Sequence, residues 1–135
     1  MTKRKILIVD DESDARLLLR RRLEANHYSV MEAGDGKSAL QQAREGNPDL
    51  IVLDLKMPDQ DGIEVYGLLR KETGTEKTPV LFLTALASGN TMTEQSLGLI
   101  ASTKHGLEME GTYAIMGKPY DAQSLVEKIR GMLPE

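Results

Sequence analysis

The 135-residue chain has no cysteine. Disulfides and thiolate metal sites are excluded, and a reducing compartment is permitted. No apolar run approaches the ~20 residues of a membrane span. The basic start, Met1 to Lys5, has the charge of a signal peptide, but only four apolar residues separate it from Asp10-Asp11-Glu12. A secretory core needs roughly 7–15. Positive charge is not in excess either: a net charge of -4 disfavours bulk binding to nucleic acid or anionic lipid. These absences predict a cytoplasmic protein with no membrane segment and no direct nucleic-acid surface.

Hydrophobic residues make up 40% of the chain, an ordinary globular share. The length fits one domain, 1–135, with a substantial core. Nothing after the last helical pattern reads as a linker or an output domain. The stretch Leu50-Ile51-Val52-Leu53 is four apolar residues in a row, preceded by Pro48-Asp49. It reads as a strand buried on both faces. It ends on a carboxylate, Asp54, and Pro58 with Asp61-Gly62 then turns the chain into a helix.

Other segments follow the same plan. Ile6 to Val9 ends in Asp10-Asp11-Glu12, and Ser13 is expected to N-cap a helix of about a dozen residues. Leu17, Leu18 and Leu23 are expected on its buried stripe, with Arg16, Arg20, Arg21 and Arg22 on the wet side. Asn26-His27 closes that helix, His27 in a capping role, and Tyr28 to Ala33 reads as a second strand. Gly34-Asp35-Gly36 leads to a helix with Ala39, Leu40 and Ala43 inward, which stops at Gly46-Asn47-Pro48. Ile63, Val65, Tyr66 and Leu69 mark a third core-facing helix, and Leu125, Val126, Ile129 and Met132 mark the last, capped by Asp121. Short apolar strands alternating with helices of this length imply a parallel sheet with right-handed crossovers.

Four of the strands each deliver a polar residue at the carboxyl end: Asp10 and Asp11, Asp54, Thr84 after Val80 to Leu83, and Lys118 after Ala114 to Met116 and Gly117. In an open α/β sheet that edge is where ligands and chemistry sit. This constellation, with Leu-Asp-Leu-Lys-Met-Pro-Asp-Gln-Asp-Gly at 53–62, resembles the receiver domain of two-component response regulators over nearly the whole chain. The resemblance implies a doubly wound, flavodoxin-like α/β fold: five parallel strands in the order 2-1-3-4-5 with helices on both faces. It implies a phosphoacceptor module rather than an enzyme acting on a separate substrate. By that resemblance a phosphoryl group would pass from the phosphohistidine of a histidine kinase or phosphotransfer protein to Asp54, and the altered conformation would control a downstream effector or output domain.

The resemblance also assigns the rim. Asp11, Asp54 and the backbone carbonyl of Lys56 would hold Mg²⁺ (or Mn²⁺) directly, with Asp10 acting through water. Crowded carboxylates repel one another unless a cation joins them, and Mg²⁺ favours hard oxygen ligands. Lys118 would supply a point charge to the phosphoryl oxygens and Thr84 a hydroxyl. Lys56 and Leu86 occupy positions that tune dephosphorylation in the family. Two alternatives belong to other classes. An aspartyl-phosphate phosphohydrolase usually has a second Asp two residues after the nucleophile, where this chain has Lys56. A phosphate-independent interaction module on the same fold is the other.

The segment at about 85–112 departs from the family. Thr84 and Lys118 lie farther apart than receivers usually place them. Thr91-Met92-Thr93-Glu94 fits a capping box, Leu97, Ile100 and Ala101 continue a helical period, and His105-Gly106 would close it. Residues 107–112 have no such period. The family's aromatic switch, three residues before the Lys, is here Ile115, and Tyr113 is two residues earlier on the same strand face. The aromatic switch is therefore either absent or displaced, and the candidates for its place are Tyr113 and Ile115.

Overall fold

The structure is a computed structural model, and it describes residues 3–55, 62–72, 74–85, 102, 112–118 and 120–133. Five strands form one sheet: β1 (Lys5–Val9), β2 (Ser29–Ala33), β3 (Leu50–Asp54), β4 (Val80–Ala85) and β5 (Tyr113–Lys118). All neighbours are parallel, and the spatial order is β2-β1-β3-β4-β5. Four helices stand among the described residues: α1 (Ser13–Ala25), α2 (Gly36–Gly46), α3 (Gly62–Arg70) and α4 (Ala122–Met132). The doubly wound fold expected from the sequence is the one observed.

The two-residue side-chain period divides the core into two layers. Leu7, Val9, Ile51, Leu53, Val80 and Phe82 pack with Ala39 and Ala43 of α2 and Val65, Tyr66 and Leu69 of α3. Ile6, Ile8, Leu50, Val52, Leu81 and Leu83 pack with Leu19 and Leu23 of α1 and Leu125, Val126 and Ile129 of α4. With helices on both faces, the central strand β3 is buried along its whole length, which is why its sequence is continuously apolar rather than alternating. The edge strand β2 is partly exposed at Val30, Met31 and Glu32, and its sequence admits a charge.

The first helix corrects three expectations. Glu12, not Ser13, occupies the N-cap, and its own side chain makes no capping hydrogen bond. Leu17 and Leu18 are exposed at 44% and 69%, while Leu19 is buried. Leu17-Leu18-Leu19 is an unbroken run, so its period does not set the helix phase; Leu19 and Leu23, one turn apart, define the inward stripe. Arg16 and Arg20 are not simply solvated, because Arg16 occupies an inward position and both pair with Glu32 of β2.

Helix ends follow the local chemistry. Asp35 Oδ1 accepts from the Ser38 N–H at 2.7 Å, and Asp121 Oδ2 accepts from the Ser124 N–H at 3.0 Å. At the end of α1, His27 N–H donates to Glu24 O and Tyr28 N–H to Leu23 O, both at 3.1 Å, with His27 at φ 71. This is a Schellman motif with histidine in the left-handed place usually held by glycine. Tyr28 and Leu23, the two positions whose apolar side chains usually accompany this motif, both lie in the α1/α4 core layer. The second strand thus begins at Ser29, one residue later than its sequence suggests. The readings made for Lys56, Leu86, Thr91–Glu94, Leu97–Ala101, His105-Gly106 and 107–111 lie outside the described residues.

Candidate functional site

Register builds the rim. Val9 pairs with Leu53, so Asp10 and Asp54 leave adjacent strands side by side. Asp54 pairs with Leu83, and Thr84 with Gly117, which brings Thr84 and Lys118 to the same edge. A one-residue slip in any pair would turn these groups to the other face. The end of β3 is fixed from both sides: Leu55 N–H donates to Leu83 O at 2.9 Å, and Gly62 N–H to Leu55 O at 3.0 Å.

The structure brings together Asp10, Asp11 and Asp54, each offering a carboxylate oxygen within 4.8 Å of the others. Asp10 and Asp54 are buried, while Asp11 is exposed. Asp10 Oδ1 accepts from the Glu12 N–H at 2.9 Å, a bond that closes the turn into α1. Lys118 Nζ reaches Asp54 Oδ2 at 3.2 Å and Asp10 Oδ2 at 3.4 Å. Burial acts to lower the Lys118 pKa, but the charges of Asp54 and Asp10, with the hydrogen bonds to them, outweigh it and hold the ammonium above its ordinary value. The buried Thr84 stands at the same edge, on the α2/α3 side.

Among the described residues, these three carboxylates, when ionised, outnumber the Lys118 ammonium by two charges. Such a cluster of hard oxygens suits a small divalent cation. The group can therefore hold one carboxylate as a nucleophile while a lysine and a divalent ion absorb negative charge arriving on a substrate.

Tyr120 follows two residues after Lys118 and packs in the α1/α4 layer. Burial raises its pKa, Lys118 lowers it, and Asp10 raises it, leaving the phenol above its ordinary value and protonated at neutral pH. Tyr113 and Ile115 are half-buried on the α2/α3 side. The Tyr113 ring stands 6.0 Å from Tyr66 and 6.2 Å from Phe82, both edge-on. It pairs with Val80, at the opposite end of β4 from Thr84, whereas Ile115 pairs with Phe82.

Sequence reasoning missed Arg16, whose Nη1 donates to the Asp10 backbone carbonyl at 2.6 Å. The available signal was Glu32, a charge inside a strand, which calls for a partner. No helix among the described residues is long and apolar enough to cross a membrane.

The family model for the response regulator receiver domain matches residues 6–130. The chain is 38% identical over 129 residues to the transcriptional regulatory protein ResD of Bacillus subtilis, covering 96% of this chain and 48% of that protein. It is 40% identical over 129 residues to the response regulator MprA of Mycobacterium leprae, covering 96% and 50%. The chain spans about half the length of the curated relatives it matches. Among solved structures, the chemotaxis response regulator CheY4 of Vibrio cholerae is similar with a TM-score of 0.80 and 27% identity, covering 98% of this chain and 100% of that one. A response regulator from Chloroflexus aurantiacus, described as putative, is similar at 0.77 and 29%, covering 97% and 98%. With its sheet order, its acidic rim and these relatives in agreement, the chain belongs to the response regulator receiver domain family.

Proposed function

We propose that this domain takes a phosphoryl group from a phosphohistidine onto Asp54 in a Mg²⁺-dependent reaction and so changes its contacts with a downstream partner. The observation that carries the reading is the position of Lys118 Nζ between Asp54 and Asp10, within a three-carboxylate cluster at the tip of the central strand. An Asp54 carboxylate oxygen forms the new bond to phosphorus, and the bond from phosphorus to the donor imidazole breaks with its electron pair going to that nitrogen. Asp11 and Asp54 would hold the Mg²⁺ directly, with Asp10 acting through water, and the Lys56 carbonyl is the further ligand that the family resemblance implies. Bound there, the divalent ion supplies neutralising charge to the phosphoryl oxygens.

The remaining work falls to side chains. Lys118 releases its hold on Asp54 and follows the charge to the phosphoryl oxygens, a move that suits a flexible stem. Thr84 donates its hydroxyl to another of those oxygens. Of the two readout candidates, Ile115 is one side-chain layer nearer the rim than Tyr113 and is better placed to feel Thr84 move. The domain catalyses its own phosphorylation and dephosphorylation and turns over no separate substrate. Its partners in this reading are a histidine kinase or phosphotransfer protein in the cytoplasm and an effector or output domain; the name of the relative from B. subtilis points to transcriptional output.

Incubation with a small acyl phosphate and Mg²⁺, read by intact-protein mass, tests the reading. The wild-type chain should gain one phosphoryl group and Asp54→Asn none. Equal labelling of the two contradicts it.

A further inference from the structure

The Asp10-Asp11 turn is held by a charge relay that begins outside the rim. Arg16 Nη1 donates to the Asp10 carbonyl at 2.6 Å, and its Nε donates to Glu32 Oε1 at 3.1 Å. The other Glu32 oxygen accepts from Arg20 Nη1 at 2.6 Å, and Arg20 Nε lies 3.4 Å from a Glu24 oxygen. A guanidinium is a rigid fork, so fixing one prong on Glu32 sets the direction of the other.

Asp10 is thereby held at every polar atom. Its N–H donates to Ala33 O at 3.1 Å, Oδ1 accepts from Glu12, Oδ2 faces Lys118, and the carbonyl accepts from Arg16. The carbonyl of Asp10 and the N–H of Asp11 share one planar peptide, so a guanidinium on that carbonyl also sets where Asp11 starts. The sequence leaves room for the arrangement. A Cβ at Gly34 would stand 3.2 Å from Arg16 Nη1. Gly34 has no left-handed φ, so space rather than backbone freedom is what the bare position supplies.

We propose that Arg16 is a positioning residue for the divalent-cation site: clamped by Glu32, it fixes the Asp10–Asp11 peptide so that both carboxylates face Asp54. Three like charges otherwise swing apart toward water, and the cation then has to gather them against side-chain and backbone freedom. The proposal rests on the Mg²⁺ site described above and assigns it a support that none of its ligands supplies.

Calorimetric titration of Mg²⁺ into the full chain tests it, on variants shown by circular dichroism to be folded. Arg16→Gln should weaken Mg²⁺ binding by about tenfold, the size seen when an outer partner of a metal ligand is removed. Gly34→Ala keeps every charge and crowds the guanidinium, and it should weaken binding in the same direction by a smaller factor. Arg20→Gln touches Glu32 but not Asp10, and it should leave affinity within about twofold. In metal-free protein, the Glu12 amide should exchange faster in Arg16→Gln while the middle of α1 is unchanged, which a general loss of stability does not produce. An affinity for Arg16→Gln within about twofold of wild type overturns the proposal and leaves Arg16 a brace of the fold. Should that variant not fold, Gly34→Ala decides: unchanged affinity overturns. A wild-type chain that binds no Mg²⁺ refutes the cation site itself, and the role of Arg16 falls with it. That result is distinct from a wild type that binds beside an Arg16→Gln that binds equally.

Discussion

Gly62 is the first residue of α3, and its role is close approach. A Cβ added there would lie 2.6 Å from the Asp54 carbonyl oxygen, 3.0 Å from Leu55 Cα and 3.3 Å from the Asp54 carbonyl carbon. All three are backbone atoms of the strand tip that carries Asp54, the proposed phosphoacceptor. Carbon and oxygen in ordinary contact sit near ~3.4 Å, so Gly62→Ala forces α3 and the strand apart by about 0.8 Å. Overpacking of this kind costs roughly 1–3 kcal/mol, and the better helix propensity of alanine returns at most about 1. The net loss falls between about 0 and 3 kcal/mol, with about 1–2 kcal/mol at its centre. Because β3 is buried along its length and paired on both sides, the tip yields first and Asp54 moves. A misplacement approaching 1 Å at a reacting group costs on the order of 100-fold in rate. Urea unfolding should show the loss of stability, and phosphorylation by a small acyl phosphate should slow by at least about tenfold. A variant as stable as wild type that is labelled at the same rate would refute the reasoning, since it would mean that the helix start slides away freely.

Other expectations follow from the same geometry. Mg²⁺ at about 100 times its dissociation constant should raise the unfolding free energy by about 2.7 kcal/mol, and Asp11→Ala should lose most of that gain; equal thermal shifts for the two proteins contradict the ligand assignment. Asp35→Ala removes the N-cap of α2 and should cost about 1 kcal/mol in urea unfolding at neutral pH. The Ser38 N–H holds the Asp35 carboxyl below its ordinary range. Its ionic contribution is therefore complete above the ordinary carboxylate pKa and is lost as pH falls through the depressed folded value. The stability difference between wild type and Asp35→Asn should close over that acid range, and a difference independent of pH argues against a charged cap. His27→Gly relieves a left-handed histidine at φ 71 and should stabilise the chain by about 0.5–1 kcal/mol after the added freedom of the unfolded glycine is counted; destabilisation is the opposing result.

The sheet and its rim were legible because strands buried on both faces write themselves as apolar runs, and the rim residues are the places where those runs end. Asp10, Asp54, Thr84 and Lys118 needed no knowledge of register to be found, and register then placed them together. Helix faces were legible where apolar residues are sparse, as at Ala39 and Ala43 or Leu125 and Ile129. They were not legible in α1, where a run of three leucines fits several phases and Arg16 occupies an inward place. That arginine is inward because its partners, the Asp10 carbonyl and Glu32, come from β1 and β2, a tertiary fact that no local pattern contains. The same holds for Gly62, which reads as turn chemistry in the sequence and proves to be a spacing requirement against Asp54.

The central claim is that Asp54 itself becomes the acyl phosphate. Borohydride reduces an acyl phosphate to an alcohol, so treating the phosphorylated chain and sequencing its peptides by mass converts the acceptor aspartate into homoserine and marks its position. The account predicts homoserine at position 54 in the presence of Mg²⁺ and at neither Asp10 nor Asp11. Homoserine at either of those two positions, or phosphorylation without any borohydride-labile aspartate, contradicts it.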